Sequence, residues 1–275
     1  MKIFILFALI FGALTEDYIV DIICPLPGNP TPTTVTQEQC DQYTACEFSS
    51  GICHMKRNNE SGYLAQNDPV VTSSGFTQTL QKANSLNTLF GADIDQLTLQ
   101  VFYHEDYHVQ IKTVGPLTYE DQFIQITTLL PSEYFYGLGE TAHDSLRRPF
   151  NSRRTTPIFT RDRLHRDGIE DNLYGAHPYY LNIEDFDGNT HSVFLDNSNA
   201  MEFSTFLAQE TPLLTIRTIG GVLDFHIFFG PSPEDVTMQY TKVTNWKTFP
   251  SSLLGIRISI IKMGLWKLSK LPRSL

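Results

Sequence analysis

The residues with the right chemistry for covalent or ligand-binding work fall in three places: four early cysteines, an acidic glycine-containing run, and a segment dense in arginine and aspartate. Cys24, Cys40, Cys46 and Cys53 form an even, clustered set, which in a secreted chain reads as two disulfides stapling a segment too small for a core of its own. Zinc is the competing chemistry. The spacing has no Cys-x-x-Cys pair, and His54 stands next to Cys53 instead of at ligand distance, so no metal site is assigned. Asp185-Phe186-Asp187-Gly188-Asn189 opens like a calcium loop but lacks the distal Glu, and a hairpin turn accounts for it more simply. Between Arg147 and Asp171, seven arginines (147, 148, 153, 154, 161, 163 and 166) alternate with Asp162, Asp167, Glu170 and Asp171. Such a polar stretch in a β domain is either a solvated insert or a binding loop, and composition favours the insert. Gly137 and Gly139 follow a strand pattern and fit a bend better than a nucleotide. The sequence has no Gly-x-Ser-x-Gly elbow, no His-Glu-x-x-His and no phosphate-cradling loop, so no cofactor is expected.

The elements that would carry these residues are mostly strands. Leu97–Tyr103 alternates apolar and polar residues, as a half-buried strand does, and His108–Val114 and Phe123–Leu129 repeat the pattern. Tyr179–Ile183 and Ser192–Leu195 flank the 185–189 turn; Leu213–Ile219 and Val222–Phe229 flank Gly220-Gly221, which predicts a second hairpin. Only Ser232–Val243 begins like a helix: Ser232 caps, Pro233 takes the first position and Glu234 and Asp235 follow. Many short strands and one late helix predict a β-sandwich.

Composition narrows the partners. Charged residues at 18% and aromatics at 12% belong to a globular chain and not to a disordered tail. A net charge of −10 excludes nucleic acid, which needs a basic patch, and disfavours anionic membranes. Lys2 followed by the short apolar run Ile3–Phe11, then Gly12 and Ala13, reads as a secretory signal over residues 1–15, too short to span a bilayer. Asn59-Glu60-Ser61 is a glycosylation sequon in keeping with secretion.

Several segments carry a family resemblance. Tyr136-Gly137-Leu138-Gly139-Glu140, Phe159-Thr160-Arg161-Asp162 and Asn172-Leu173-Tyr174-Gly175-Ala176-His177-Pro178 come first. Asn197-Ser198-Asn199, Ile219-Gly220-Gly221-Val222-Leu223-Asp224-Phe225 and Gly230-Pro231-Ser232-Pro233-Glu234 follow in the same order. Together they resemble the N-terminal, galactose-mutarotase-like β-sandwich of glycoside hydrolase family 31, in its maltase-glucoamylase, sucrase-isomaltase and lysosomal α-glucosidase branch. The resemblance assigns residues 61–243 to that sandwich and residues 20–60 to a degenerate P-type (trefoil) module, whose six cysteines are here four, with Ala45-Cys46 where the family has a Cys-Cys pair. By the trefoil pattern Cys40 pairs with Cys53, leaving Cys24 with Cys46. The family hydrolyses terminal α-linked glucose with two carboxylates on a (β/α)₈ barrel that follows the sandwich. Its Trp-x-Asp-Met-Asn-Glu nucleophile segment has no counterpart here, so no catalytic residue is assigned. The resemblance does place Asp162 in the family loop whose Asp binds sugar hydroxyls; two residues on, Leu164 stands where a small hydroxyl residue is common.

Beyond Val243 the resemblance ends. Residues 244–275 diverge into a lysine-containing tail, and Leu253-Leu254-Gly255 can be encoded so that a one-base shift reads Tyr-Trp-Ala, the family's next segment. An out-of-frame tail and an amphipathic tail are the two readings. The expected function is that of the N-terminal, carbohydrate-associated portion of a secreted α-glucosidase-like protein, catalytically silent as this chain. Its expected partners are an α-glucan or maltooligosaccharide and a catalytic barrel, and its expected location is the secretory pathway, extracellular or lysosomal. A stand-alone carbohydrate-binding module and a non-functional product are the alternatives.

Overall fold

The computed structural model describes residues 24, 35–43, 46–55, 63–82, 94–115, 124–166, 171–208 and 211–244. The signal-like residues 1–15, the Asn59 sequon and the tail beyond Thr244 lie outside the described residues.

The cysteine segment folds around its own small core. Helix α1 (Gln37–Asp41) starts at a capping box in which Thr36 Oγ1 accepts from the Gln39 amide and Gln39 Oε1 accepts from the Thr36 amide. Strands β1 (Cys46–Ser49) and β2 (Ile52–Met55) form an antiparallel hairpin. Its turn residues Ser50 and Gly51 both have positive φ, 53° and 79°, which matches the right-handed twist of the strands. Disulfides join Cys24 to Cys46 and Cys40 to Cys53, and the four buried cysteines pack with Val35, Tyr43 and Phe48.

The rest is a two-sheet sandwich. One sheet holds β3 (Tyr63–Ala65), β4 (Val70–Thr72), β5 (Gly75–Lys82), β6 (Gln96–Glu105), β7 (His108–Val114), β9 (Phe135–Ala142), β11 (Asp171–Ile183), β12 (Thr190–Leu195) and β15 (Leu223–Phe228). Its order is β3-β5-β6-β7-β15-β12-β11-β9, with β4 also on β5. The other sheet runs β10 (Arg154–Ile158), β13 (Met201–Ala208), β14 (Thr211–Thr218), β8 (Ile124–Leu129). Inward-facing residues of both sheets make one core: Phe135, Leu138 and Tyr180 come from the larger sheet, and Ile158, Phe203, Leu214 and Ile216 from the smaller. Alternate residues meet there because strand side chains have a period of two.

The strands expected from alternation are present, most within two residues of their expected bounds, while the one expected at Tyr179–Ile183 begins eight residues earlier as β11; the 185–189 turn does join β11 to β12. Asp185 makes that turn, accepting from the Asp187 and Asn189 amides and from Asn189 Nδ2. These bonds hold its carboxyl below the usual range.

The hairpin expected at Gly220-Gly221 is not formed. β14 lies in the smaller sheet and β15 in the larger, so the glycines carry the chain from one sheet to the other. Asn197 Nδ2 donates to the carbonyls of Gly220 and Val222, both at 3.0 Å, and a Cβ on Gly221 (φ +77°) would lie 2.6 Å from Asn199 Nδ2. The two-glycine signal marked a tight reversal correctly but carried no information about strand partners. Gly137 likewise sits inside β9, at φ +111°, where a Cβ would come 2.5 Å from the Tyr179 carbonyl oxygen. The β9–β11 register shifts there, so the bend is a bulge between paired strands.

Helix α2 (Pro233–Val243) has the expected cap: Ser232 Oγ accepts from the Asp235 amide at 3.1 Å, and Asp235 Oδ2 accepts from the Ser232 amide. It is fastened to β11 by Tyr240, whose ring stacks on Tyr179 at 4.3 Å. Burial pushes the phenols of Tyr179, Tyr180 and Tyr240 up, because the folded state favours their neutral form. Their stabilising contribution is therefore present below pH ~10 and lost as pH rises above it. In a 295 nm absorbance titration Tyr180, enclosed in the sandwich core, is expected to ionise only together with loss of the β-sheet circular dichroism signal. Ionisation of all twelve tyrosines with the fold intact would contradict this reading.

Candidate functional site

The arginine-rich stretch is not one solvated insert. It contains β10, an edge strand in which Pro157 is tolerated and which pairs with β13 from Arg154↔Thr205 to Ile158↔Met201. Its first arginine pair divides by burial. Arg147 lies over the Tyr134 ring, 4.6 Å from its centroid, and is half-exposed. Arg148 is buried and donates to the carbonyls of Gly137 (2.9 Å) and Leu138 (3.1 Å) and to Thr141 Oγ1 (2.6 Å). It thereby gives the Gly137 and Leu138 carbonyls at the β9 bulge a buried donor.

After Ile158 the chain is laid along the start of β11. The buried Asn172 side chain accepts from the Phe159 amide at 3.1 Å and donates to the Glu140 carbonyl at 3.3 Å. The Arg161 guanidinium donates to the Asn172 carbonyl at 3.0 Å and lies over the Phe159 ring. Arg161, Arg163 and Arg166 all pair with one carboxylate, Asp171. Asp162 therefore sits between two arginines whose charges are committed elsewhere. It makes no hydrogen bond or ion pair with another described residue and is exposed, as is Leu164 at 72%. An ionised carboxylate is acceptor-only and can take two hydroxyl protons at once, so what this loop presents is an exposed acceptor beside an apolar side chain.

No second acid converges on Asp162 among the described residues. A cleft lined by Leu138, His143, Arg148, Pro149, Arg154, Thr156 and Thr205 encloses about 10 Å³, room for about one water. The four cysteines are all in disulfides, so they offer no thiolate to a metal.

A polar network on the larger sheet was not anticipated from the sequence. The buried Asp224 accepts from Lys112 Nζ (2.8 Å) and Gln110 Nε2 (2.7 Å), and Gln110 Oε1 meets His104 Nε2 at 2.8 Å. His108 Nε2 and His226 Nδ1 are 2.9 Å apart. Burial, then the neighbouring His104 and His226, lower His108 to about 4, and burial also lowers His226, so both rings are neutral at pH ~7. No sequence spacing reveals this cluster, since His108 and His226 are 118 residues apart and meet through the β7–β15 pairing.

Comparison with known proteins gives these features a family. Residues 52–203 match the model of the glycosyl hydrolase 31 N-terminal galactose mutarotase-like domain. The intestinal sucrase-isomaltase of Oryctolagus cuniculus is 47% identical over 148 residues, covering 54% of this chain and 8% of that protein. The lysosomal α-glucosidase of Rattus norvegicus is 43% identical over 138 residues, covering 50% of this chain and 14% of that protein. The chain thus spans a small fraction of the length of these relatives. Among solved structures, an α-1,4-glucan lyase of Gracilariopsis lemaneiformis aligns at 13% identity and a TM-score of 0.44, over 67% of this chain and 30% of that one. With a matched model over more than half its length and a mainly β fold around the matched strands, the chain belongs to glycoside hydrolase family 31, through that family's N-terminal galactose mutarotase-like domain.

Proposed function

We propose that this chain is the N-terminal, carbohydrate-associated part of a secreted α-glucosidase-like protein, that it packs on a catalytic barrel, and that it presents Asp162 to the sugar bound there. The observation that carries this reading is the use of Asp171 as the shared partner of Arg161, Arg163 and Arg166, which leaves the Asp162 carboxylate unpaired among the described residues and in solvent. The family membership supports it, since the relatives include α-glucosidases. The signal-like N-terminus supports the secretory pathway, and Asn59 is proposed as its glycan acceptor.

Alone, the chain is proposed to be silent in hydrolysis. Retention of configuration needs two carboxyl groups about 5–5.5 Å apart across a sugar-sized cleft. The purified chain is expected to release no glucose from maltose above a buffer blank. Turnover that co-purifies with the chain and is lost in Asp162→Asn would overturn the proposed silence.

A further inference from the structure

The proposed glycosidase role leaves unused the polar face of the larger sheet. Strand register puts six side chains on that face in three directly opposed pairs: Lys112 with Asp224, Gln110 with His226, and His108 with Phe228. His104 joins them from β6, next to the register shift between Tyr103 and Glu105. We infer that His104, His108 and His226 form a binding site for a divalent transition-metal ion of the zinc type.

The geometry is close to what such an ion needs. One ring nitrogen from each of the three histidines lies within 4.8 Å of the other two. Three imidazole nitrogens on a tetrahedral zinc at about 2.0–2.1 Å are about 3.4 Å apart. His108 and His226 are already closer than that, at 2.9 Å. His104 is the exposed member, beside a strand irregularity.

The surrounding network selects the tautomer of His104. A carboxylate only accepts, so Asp224 fixes the Gln110 amide with its NH₂ toward the acid and its oxygen toward His104. That oxygen takes the Nε2 proton of His104, which leaves Nδ1 of His104 with its lone pair. Nε2 of His226 lies 3.8 Å from Asp224 Oδ1, beyond hydrogen-bond distance, while its Nδ1 meets His108 Nε2. Through Gln110 one buried acid therefore orients His104, the outer-shell arrangement that raises imidazole basicity in metal sites. Metal binding requires whichever of His108 Nε2 and His226 Nδ1 carries the proton between them to pass it to the other nitrogen of its ring, and water completes the fourth position. Three imidazoles suit zinc, copper or nickel and not magnesium or calcium. A rival grouping, Asp196, Asp224 and His226, shares one histidine, but its Asp224 oxygens are already taken by Gln110 and Lys112.

The test is calorimetric titration of ZnCl₂ into the full chain carrying no histidine tag. One saturable site is expected for zinc and none for MgCl₂. His104→Ala is expected to weaken zinc binding by at least about 100-fold, and Asp224→Asn by about 10–100-fold. Because His104 is exposed, its replacement leaves the metal-free melting temperature unchanged, which separates loss of binding from loss of fold. The proposal is overturned by any of three results: no zinc uptake by the wild-type chain, unchanged affinity in His104→Ala, or a loss confined to Asp196→Asn.

Discussion

Arg148→Met is expected to destabilise the sandwich by about 3–5 kcal/mol. The substitution keeps the aliphatic length but removes every donor. The carbonyl oxygens of Gly137 and Leu138 and the hydroxyl of Thr141 then lose a buried partner. Each buried polar group left unsatisfied costs about 1–3 kcal/mol, and the bulge cannot close on itself, because Gly137 is held tight against the Tyr179 carbonyl. For a sandwich of this size the melting temperature should fall by about 8–15 °C. Arg147→Met is the matched control: that side chain is half-exposed, its Glu133 partner is exposed too, and a surface ion pair contributes about 0–1 kcal/mol. Equal melting temperatures for the two variants would contradict the structural role given to Arg148.

Replacing Cys40 and Cys53 together by Ala is expected to cost the cysteine segment about 3 kcal/mol. The bridge closes a loop with a sequence separation of 13, and in the chain-entropy description a loop near that length is worth about this much. The segment has little else to hold it, since its core consists of the four cysteines, Val35, Tyr43 and Phe48 around a two-stranded sheet. Its core is distinct from that of the sandwich, so the loss should be local. Hydrogen exchange is expected to lose protection across β1 and β2 while the sandwich melts at its original temperature. An equal fall in the sandwich transition would mean that the two cores unfold as one.

Much of the sandwich was legible because its strands face two different environments. Leu97–Val101 in β6 and Val109–Lys112 in β7 alternate apolar and polar residue types, and α2 announces itself with Ser232, Pro233 and Asp235. What could not be read was non-local. β10 was hidden because arginines and Pro157 mask a strand whose pairing uses an exposed edge. Gly220-Gly221 signalled a reversal, while the asparagines that clamp it lie more than 20 residues earlier. At the candidate site, the motif around Asp162 was visible, but seven arginines and four acids allow many pairings. Only the fold shows Asp171 taking three of them. The histidine cluster depends entirely on register between strands distant in sequence, and nothing in local spacing encodes it.

The most direct measurement of the Asp162 assignment is maltose hydrolysis by a chimera in which residues 63–244 replace the matching region of rat lysosomal α-glucosidase, with and without Asp162→Asn. Hydrogen bonds to a charged group contribute about 1.5–3 kcal/mol, so kcat/KM is expected to fall about 10–100-fold at unchanged melting temperature. An Asp162→Asn chimera with the kcat/KM of its parent would contradict the proposal that this loop binds the substrate.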